Sequence, residues 1–375
     1  MIFSNFAENF GIMKAKFLEG RLSSREVITN GAKIFHELRW TGGLVICPYC
    51  GSIEVSEKFI SGFYSYRCRH CGHRFSDRTR TVMHGSKLPI EMWVYALYEM
   101  LAGNFIASTR LARKLRINQK SAWLMMMKLR YSFKRYEVPL KGVIAQDEVY
   151  IGGCLSNYHY CRKLNLLREN LFLRKDERKY SSSDIMNLNS IIKYPVLGLN
   201  DGENIILRSM PNPISKGDVE KVWKECVTEG SSLVGDETRL YDSWKGVRYT
   251  NNHSKNQYKS EEGYSSNRVE NTFSWVKRGL SGLVHCKRKY LQFYLWEFEY
   301  RFNTRGKDDR MRLEALLGPP VNTKRLLSIA FIPQSRDDIR LKSDKAMMKE
   351  ALSLGYVRAI YWKGRYIDKG NVDKL

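Results

Sequence analysis

Acidic residues are scarce in this chain. It carries 39 Asp+Glu against 63 Lys+Arg in 375 residues, a formal charge of +24. Such a surplus favours a polyanionic partner. No apolar run reaches the ~18 residues that a membrane-spanning helix needs. An acidic membrane surface would also attract the charge, but no amphipathic basic helix or lipidation signal is present to hold it there. The N-terminus lacks a long apolar core, with Glu8, Lys14 and Lys16 breaking up residues 1–18, so no secretory leader is expected. Eight cysteines are too few for a disulfide scaffold at this length, and four of them sit in metal-type pairs. A reducing, intracellular compartment is therefore expected. A hydrophobic content of 43% excludes a disordered or collagen-like chain. The length allows two or three domains, and no internal repeat is visible.

Helical spacing of Phe6, Phe10, Met13 and Phe17 predicts an N-terminal helical segment within residues 1–45. Residues 86–136 are strongly helical, and Pro139 and Gly142 mark a boundary. Beyond it the period changes. A strand is predicted over 142–153, followed by a polar, basic, mobile insertion over 155–190. Apolar runs at 195–199 and 204–210 flank Asn200-Asp201-Gly202-Glu203, a hairpin turn signal. A helix over about 215–229, a strand at 231–236, a polar loop at 250–266 and helices from 266 and over 290–303 complete the pattern. The aromatic helix (Phe293, Tyr294, Trp296, Phe298, Tyr300) reads as core rather than as an interface. Residues 306–375 form a basic extension with no role assigned.

Cys47-Pro-Tyr-Cys50-Gly and Cys68-Arg-His-Cys71-Gly are two copies of C-x-x-C-G. Each turn aims two thiolates at one point, and four soft ligands suit one structural Zn²⁺. The stretch Phe59–Tyr66, with Ser61-Gly62 as its turn, can form the hairpin of a zinc ribbon. A thioredoxin-like redox site would have one such pair, not two. His70 and His73 lie beside the second pair as substitute ligands, though four cysteines already close the shell. Cys154, Cys161, Cys226 and Cys286 have no paired spacing and read as plain thiols.

After the ribbon, Leu111, Ala112 and Leu115 form the inner face of one helix, and Arg116-Ile117-Asn118 makes a short turn. Asn118 can cap the next helix, whose apolar stripe is Ala122, Met126, Leu129 and Phe133. This is a helix-turn-helix pattern. Gln119, Lys120 and Ser121 would meet base edges at the exposed start of the second helix. Arg113, Lys114 and Arg116 would meet phosphates. The plainer reading is a helical bundle with a solvated basic face.

The strand Val143-Ile144-Ala145-Gln146-Asp147-Glu148-Val149-Tyr150-Ile151 is apolar but interrupted by acids. A carboxylate there is costly unless it meets a cation. Asp147 and Glu148 alternate faces, so only one can point at a given site. Leu233-Val234-Gly235-Asp236 ends a second strand with an acid. On a later helix Val269, Phe273, Val276 and Leu280 make the apolar stripe, while Asn267, Glu270, Ser274 and Lys277 share the polar one. The order is strand with Asp, two hairpin strands, helix, strand with Asp, loop, helix with Glu. That is the order of an RNase H-like fold. Three converged carboxylates would hold two Mg²⁺ (or Mn²⁺) ions for phosphodiester chemistry.

The motifs Cys-Pro-x-Cys-Gly, Tyr66-Arg67-Cys68-Arg69-x-Cys71, Phe75-Ser76 and Ser86-Lys87-Leu88-Pro89 before a Trp93-bearing helix resemble the front of Merlin-type DNA transposases and their bacterial insertion-sequence relatives. Asp147-Glu148-x-Tyr150-Ile151-Gly152-Gly153 resembles the first catalytic segment of that family. Asn267-Arg268-Val269-Glu270-Asn271, Lys277-Arg278-Gly279 and Glu297-Phe298-x-x-Arg301-Phe302-Asn303 resemble its last. The likeness spans about residues 45–305.

It implies a DDE transposase with Asp147 and Asp236 as metal ligands and Glu270 as the third acid. Asn267 is an alternative third residue, and Glu237 and Asp242 are competing acids near Asp236. Lys277 and Arg278 are implied as DNA contacts. Such an enzyme binds terminal inverted repeats, cuts, and joins the freed 3′-hydroxyl to target DNA in cut-and-paste transposition. Its partner is double-stranded DNA, its state at least a homodimer, and its place on DNA in the nucleus or, in bacteria, the nucleoid. Two other readings are a domesticated, catalytically inactive DNA-binding protein and a zinc-ribbon transcription accessory factor. The expected fold class is therefore multi-domain α/β. An N-terminal helical segment (1–45) leads to a zinc ribbon (46–80) and a helix-turn-helix-like helical domain (86–138). An RNase H-like core of mixed sheet flanked by helices follows (141–305), and then the C-terminal extension (306–375).

Overall fold

The computed structural model describes residues 22–60, 63–102, 105–152, 193–212, 214–251, 264–281, 290–321, 359–362 and 365–368. The expected helix around Phe6–Phe17, the 155–190 insertion, Cys154, Cys161, Cys286 and residues 322–358, 363–364 and 369–375 of the C-terminal extension lie outside them. The first helix described is α1 (Ser24–Arg39). It is opened by a reciprocal cap, in which the Ser23 Oγ accepts from the Glu26 N–H and Glu26 Oε2 accepts from the Ser23 N–H.

A small antiparallel sheet follows, made of β1 (Val55–Ile60), β2 (Phe63–Cys68) and β3 (Arg74–Ser76). The first two are the expected hairpin. Asp77, just past β3, ties this sheet to α1. Its carboxylate accepts from the Trp40 indole N–H (2.7 Å) and the Tyr66 hydroxyl (3.0 Å), and it lies 3.1 Å from His36 Nδ1. A buried carboxylate is stable there because several donors satisfy it.

Three helices come next: α2 (Ile90–Ala102), α3 (Ser108–Leu115) and α4 (Gln119–Phe133). Then the main sheet begins with β4 (Val143–Ile151), β5 (Tyr194–Asn200) and β6 (Ile205–Ser209). Helix α5 (Lys216–Cys226) crosses over to β7 (Ser232–Asp236), and β8 (Arg248–Asn251) follows. The strand order is β6-β5-β4-β7-β8, with β5 antiparallel to both neighbours and β4, β7 and β8 parallel. Helices α6 (Asn267–Ser281), α7 (Leu291–Asn303) and α8 (Asp309–Leu313) end the compact part. A two-stranded ribbon, β9 (Ala359–Trp362) and β10 (Arg365–Asp368), lies in the C-terminal extension. This is the mixed, helix-flanked sheet expected of an RNase H-like core.

One correction concerns β8. The polar loop expected from residue 250 gives way at its start to a strand ending at Asn251. The segment Arg248-Tyr249-Thr250-Asn251 has no apolar alternation to announce it. It is a strand because β7 offers it an edge to pair with.

Alternation divides the sheet into two faces. Ile144, Leu197, Leu199, Ile206 and Leu233 pack on Val219, Val222 and Trp223 of α5. On the other face Ala145, Val149, Val196, Ile205 and Leu207 join a larger core with α6 and α7. That same core contains Leu97, Met100, Leu111, Met126 and Phe133, so the helical segment and the sheet share one apolar interior. Arg130 of α4 meets Glu297 of α7 at 2.7 Å, both buried, and its guanidinium sits 4.0 Å over the Tyr294 ring. Helix α7 is indeed core: every residue from Leu291 to Tyr300 is buried.

Helix α7 also closes the free edge of β6. The Gln292 side chain accepts from the Ser209 N–H (2.8 Å) and donates to the Leu207 carbonyl (3.0 Å). Glu299 accepts from the Leu207 N–H (2.7 Å), and Asn303 both accepts from and donates to the backbone of Ile205. Residues 292, 299 and 303 fall on one helical stripe. They stand in for a sixth strand and satisfy groups that would otherwise be open.

Candidate active site and zinc centre

A single row crosses the sheet on the α6 face. Leu207 of β6 pairs with Gly198 of β5, and Gly198 pairs with Asp147 of β4. Strands β4 and β7 pair through Ala145 and Val234, and two residues further along each stand Asp147 and Asp236. Asp236 in turn pairs with Asn251 of β8. In-register neighbours project to the same side, so Asp147, Asp236 and Asn251 all point toward α6. Glu148 and Gln146 point the other way, where the buried Trp223 indole donates to Gln146 Oε1 at 3.0 Å.

Helix α6 carries the third candidate acid, Glu270. Val269, Phe273, Val276 and Leu280 are buried, and Asn267, Glu270, Ser274 and Lys277 are exposed, as the helical period requires. The helix can approach the sheet because residue 198 has no side chain. A Cβ there would stand 2.5 Å from Phe273 Cε1 and 2.9 Å from Val269 Cγ2. Glu270 is held in the first turn, where the Ser266 hydroxyl donates to its Oε1 at 2.8 Å.

Burial, followed by the like charges of Glu148, Asp236 and Glu270, pushes the Asp147 carboxyl up to about 7. Asp147 thus feels both other candidate acids. Its Oδ1 accepts from the Glu148 N–H at 2.8 Å. Burial also raises Glu148, which accepts from the hydroxyl of the fully buried Tyr241. Arg248 fixes the end of β7 by donating to the Asp236 carbonyl at 2.9 Å. Asp242, a competing acid, is instead paired with Lys216 and Arg248.

The carboxylates of Asp147, Asp236 and Glu270 are hard oxygen donors of the kind that Mg²⁺ or Mn²⁺ takes. The three carboxylates do not share the tight mutual spacing of the cysteines. Among the described residues Cys47, Cys50, Cys68 and Cys71 are the group whose ligand atoms all lie within 4.8 Å of one another. Cys47 and Cys71 Sγ are 3.6 Å apart, as are Cys50 and Cys68. A tetrahedron with Zn–S arms of about 2.3 Å has sulfurs about 3.8 Å apart, so the quartet fits zinc. The Cys71 N–H, directed at the Cys68 sulfur, lowers that thiol to about 6. His73 is not needed as a ligand; its ring stacks on Tyr49 at 4.4 Å. Cys226, the last residue of α5, is buried, with Arg208 at 3.4 Å from its sulfur.

Helices α3 and α4 form the expected helix-turn-helix. Arg116 takes a left-handed conformation at the end of α3, and Asn118 caps α4 by accepting from the Ser121 N–H at 2.7 Å. Gln119, Lys120, Arg113 and Arg116 are exposed, and Ser121 is half-buried. Two of these side chains are engaged: Gln119 donates to Ser108 Oγ (2.9 Å), and Lys114 pairs with Glu99 at 2.6 Å. On α6, Lys277 and Arg278 are exposed beyond Glu270.

Residues 139–303 match the ISXO2-like transposase domain, a span that encloses all three acids. Residues 31–74 match the transposase zinc-ribbon domain, with all four cysteines inside. The chain belongs to the IS1595 family of transposases. A relative in Halobacterium salinarum, described as an uncharacterized protein in transposable element ISH50, is 25% identical over 121 residues. That stretch is 32% of this chain and 40% of the relative, so less than half of the relative's length is matched. No solved structure matches. Among the described residues no helix is long and apolar enough to cross a membrane. The sequence reading missed Asn251 and the stripe of α7 that closes β6. Gln292, Glu299 and Asn303 were visible as polar residues at helical spacing, but their strand partner was not.

Proposed function

We propose that this transposase binds the terminal inverted repeats of its own element and performs metal-dependent strand cleavage and strand transfer at Asp147, Asp236 and Glu270. The observation that carries the reading is the register that sets Asp147 beside Asp236 under α6, with Asp147 feeling the charges of Asp236 and Glu270. Glu270 is preferred to Asn267 as the third residue for that reason, and because a carboxylate binds a divalent ion more strongly than an amide.

The three acids would hold the ions, two in number, as Mg²⁺ or Mn²⁺. Bound there, divalent ions supply Lewis acidity and a water acidic enough to attack at neutral pH. In the first step a water oxygen bonds to phosphorus and the P–O3′ bond breaks, leaving a 3′-hydroxyl and a 5′-phosphate. In the second, that 3′-oxygen bonds to a target phosphorus and one target P–O3′ bond breaks. Lys277 and Arg278 would hold strand phosphates along α6. The exposed start of α4 (Gln119, Lys120, Ser121) would read base edges, and Arg113, Arg116 and, once freed from Glu99, Lys114 would bind phosphates. The ribbon, with one structural Zn²⁺, would extend the contact. Holding two ends together requires at least two copies of the chain. We read residues 46–80, 86–138 and 141–305 as the units that carry these roles.

The test is nicking of supercoiled DNA carrying the element's ends. Asp147→Asn is expected to abolish Mg²⁺- or Mn²⁺-dependent nicking while repeat binding persists. Unchanged nicking overturns the assignment.

A further inference from the structure

The row that carries the two aspartates does not end with them. Asn251 pairs with Asp236 and projects to the same face. It is 1% exposed, and neither its Oδ1 nor its Nδ2 has a hydrogen-bond partner. A buried amide with both ends unmet is rare, since folding strips its water and returns nothing. The other buried asparagine of the sheet shows the ordinary case. Asn200 donates to the Arg268 carbonyl and Thr272 Oγ1, and it accepts from the Gly202 N–H. Gln146 also has an unmet Nε2, but its side chain lies on the α5 face and its oxygen is bound to Trp223.

We propose that Asn251 is a substrate-contacting residue of this site, its Nδ2 donating to a non-bridging oxygen of the scissile phosphodiester and its Oδ1 accepting from the water beside it. The inference rests on the reading of Asp147, Asp236 and Glu270 as the ion-binding acids. Carboxylates can hold a cation but cannot donate to a phosphate oxygen. Asn251 adds a donor to the row without adding negative charge where Asp147 is already crowded. Its unmet hydrogen bonds are then completed by the DNA, and discrimination follows because a site built to bond polar atoms loses most when they are absent.

The experiment compares wild type with Asn251→Leu, an apolar near-isostere, and Asn251→Val, which suits a strand. The first readout is binding of a duplex carrying the element's end, by fluorescence anisotropy, with and without Ca²⁺. Both variants are expected to keep Ca²⁺-free binding and to lose the gain in affinity that Ca²⁺ brings. The second is Mg²⁺-dependent nicking, where kcat is expected to fall by about tenfold or more with KM for DNA little changed. The metal-free melting temperature is expected to hold or rise, which sets a structural role aside. Variants that keep both the Ca²⁺-dependent gain and the wild-type nicking rate overturn the proposal. Asp147→Asn run in parallel separates the two ideas: wild-type nicking by that variant defeats the three-acid reading, whereas Asn251 is judged by its own Ca²⁺-dependent binding.

Discussion

Asp147 and Asp236 stand at matching positions on parallel neighbouring strands, each two residues past the Ala145–Val234 pair. In-register parallel strands set equivalent side chains side by side, roughly 5 Å apart. Burial, and then the repulsion between acids so placed, favour the protonated form of Asp147.

Asp147 is raised to about 7 in the folded protein, against about 4 in an unfolded chain. Between those values the unfolded chain has released this proton and the folded chain has not. Stability of the metal-free protein therefore falls as pH rises from about 4 to about 7, and the penalty is complete above that. Asp147→Asn is expected to flatten the window and to raise the metal-free melting temperature at pH 8 by a few degrees. Mg²⁺ should stabilise wild type at pH 8 and do little for the variant. Differential scanning calorimetry at several pH values checks both; a variant that melts lower than wild type at pH 8 contradicts the picture.

Gly198 lets α6 lie close to the sheet face that carries Asp147 and Asp236. Gly198→Ala forces Phe273 and Val269 to shift. The expected cost is about 1–3 kcal/mol of stability from overpacking. Activity should fall by more than the loss of folded protein explains, because Glu270 moves with the helix. Urea unfolding beside nicking assays on the folded fraction measures the two effects separately.

Zinc removal should act on the ribbon and leave the main sheet folded. The ribbon has a small core (Trp40, Tyr66, Phe75) next to its cysteines, too little to hold a fold without metal. Chelation or Cys50→Ser is expected to release one zinc per chain and to raise hydrogen exchange across β1–β3. A zinc-free variant with wild-type protection there speaks against a structural metal.

The basic helices give a graded expectation for DNA. Arg113 and Arg116 are exposed and pair with no acidic side chain among the described residues, while Lys114 is paired with Glu99 at 2.6 Å. Arg113→Ala and Arg116→Ala should each lower the slope of log affinity against log salt by about one. Lys114→Ala should lower it less, because that charge is already neutralised within the protein. Equal slopes for all three variants would remove the distinction.

The closure of β6 can be tested at Gln292, which meets both Ser209 N–H and Leu207 C=O. Gln292→Leu keeps the volume and loses both bonds. Two buried backbone groups left unmet should cost about 2–4 kcal/mol. A shift in the denaturation midpoint with an unchanged slope reports it.

Much of this protein was legible in one dimension. The doubled Cys-x-x-Cys pair, the turn between α3 and α4, the hairpin of β5 and β6 and the amphipathic face of α6 are local patterns, set by residues within about two turns or one hairpin of each other. They were read with their ends nearly right. Strand β8 was not legible, since only the edge of β7 makes a strand of Arg248–Asn251. Nor was the buried Arg130–Glu297 pair, whose members are 167 residues apart.

What the amino-acid order determined by itself was the inventory: four thiols for one metal, a basic surface, and acids within one predicted strand, at the end of another and at the start of a helix. Only the tertiary structure decided which of those acids face the same side of the sheet. Alternation permits either Asp147 or Glu148 to face a site, and the choice falls to the register of β4 against β7 and to the side on which α6 packs. Those are set by contacts between segments some 70 to 90 residues apart, where no periodicity along the chain can carry the information.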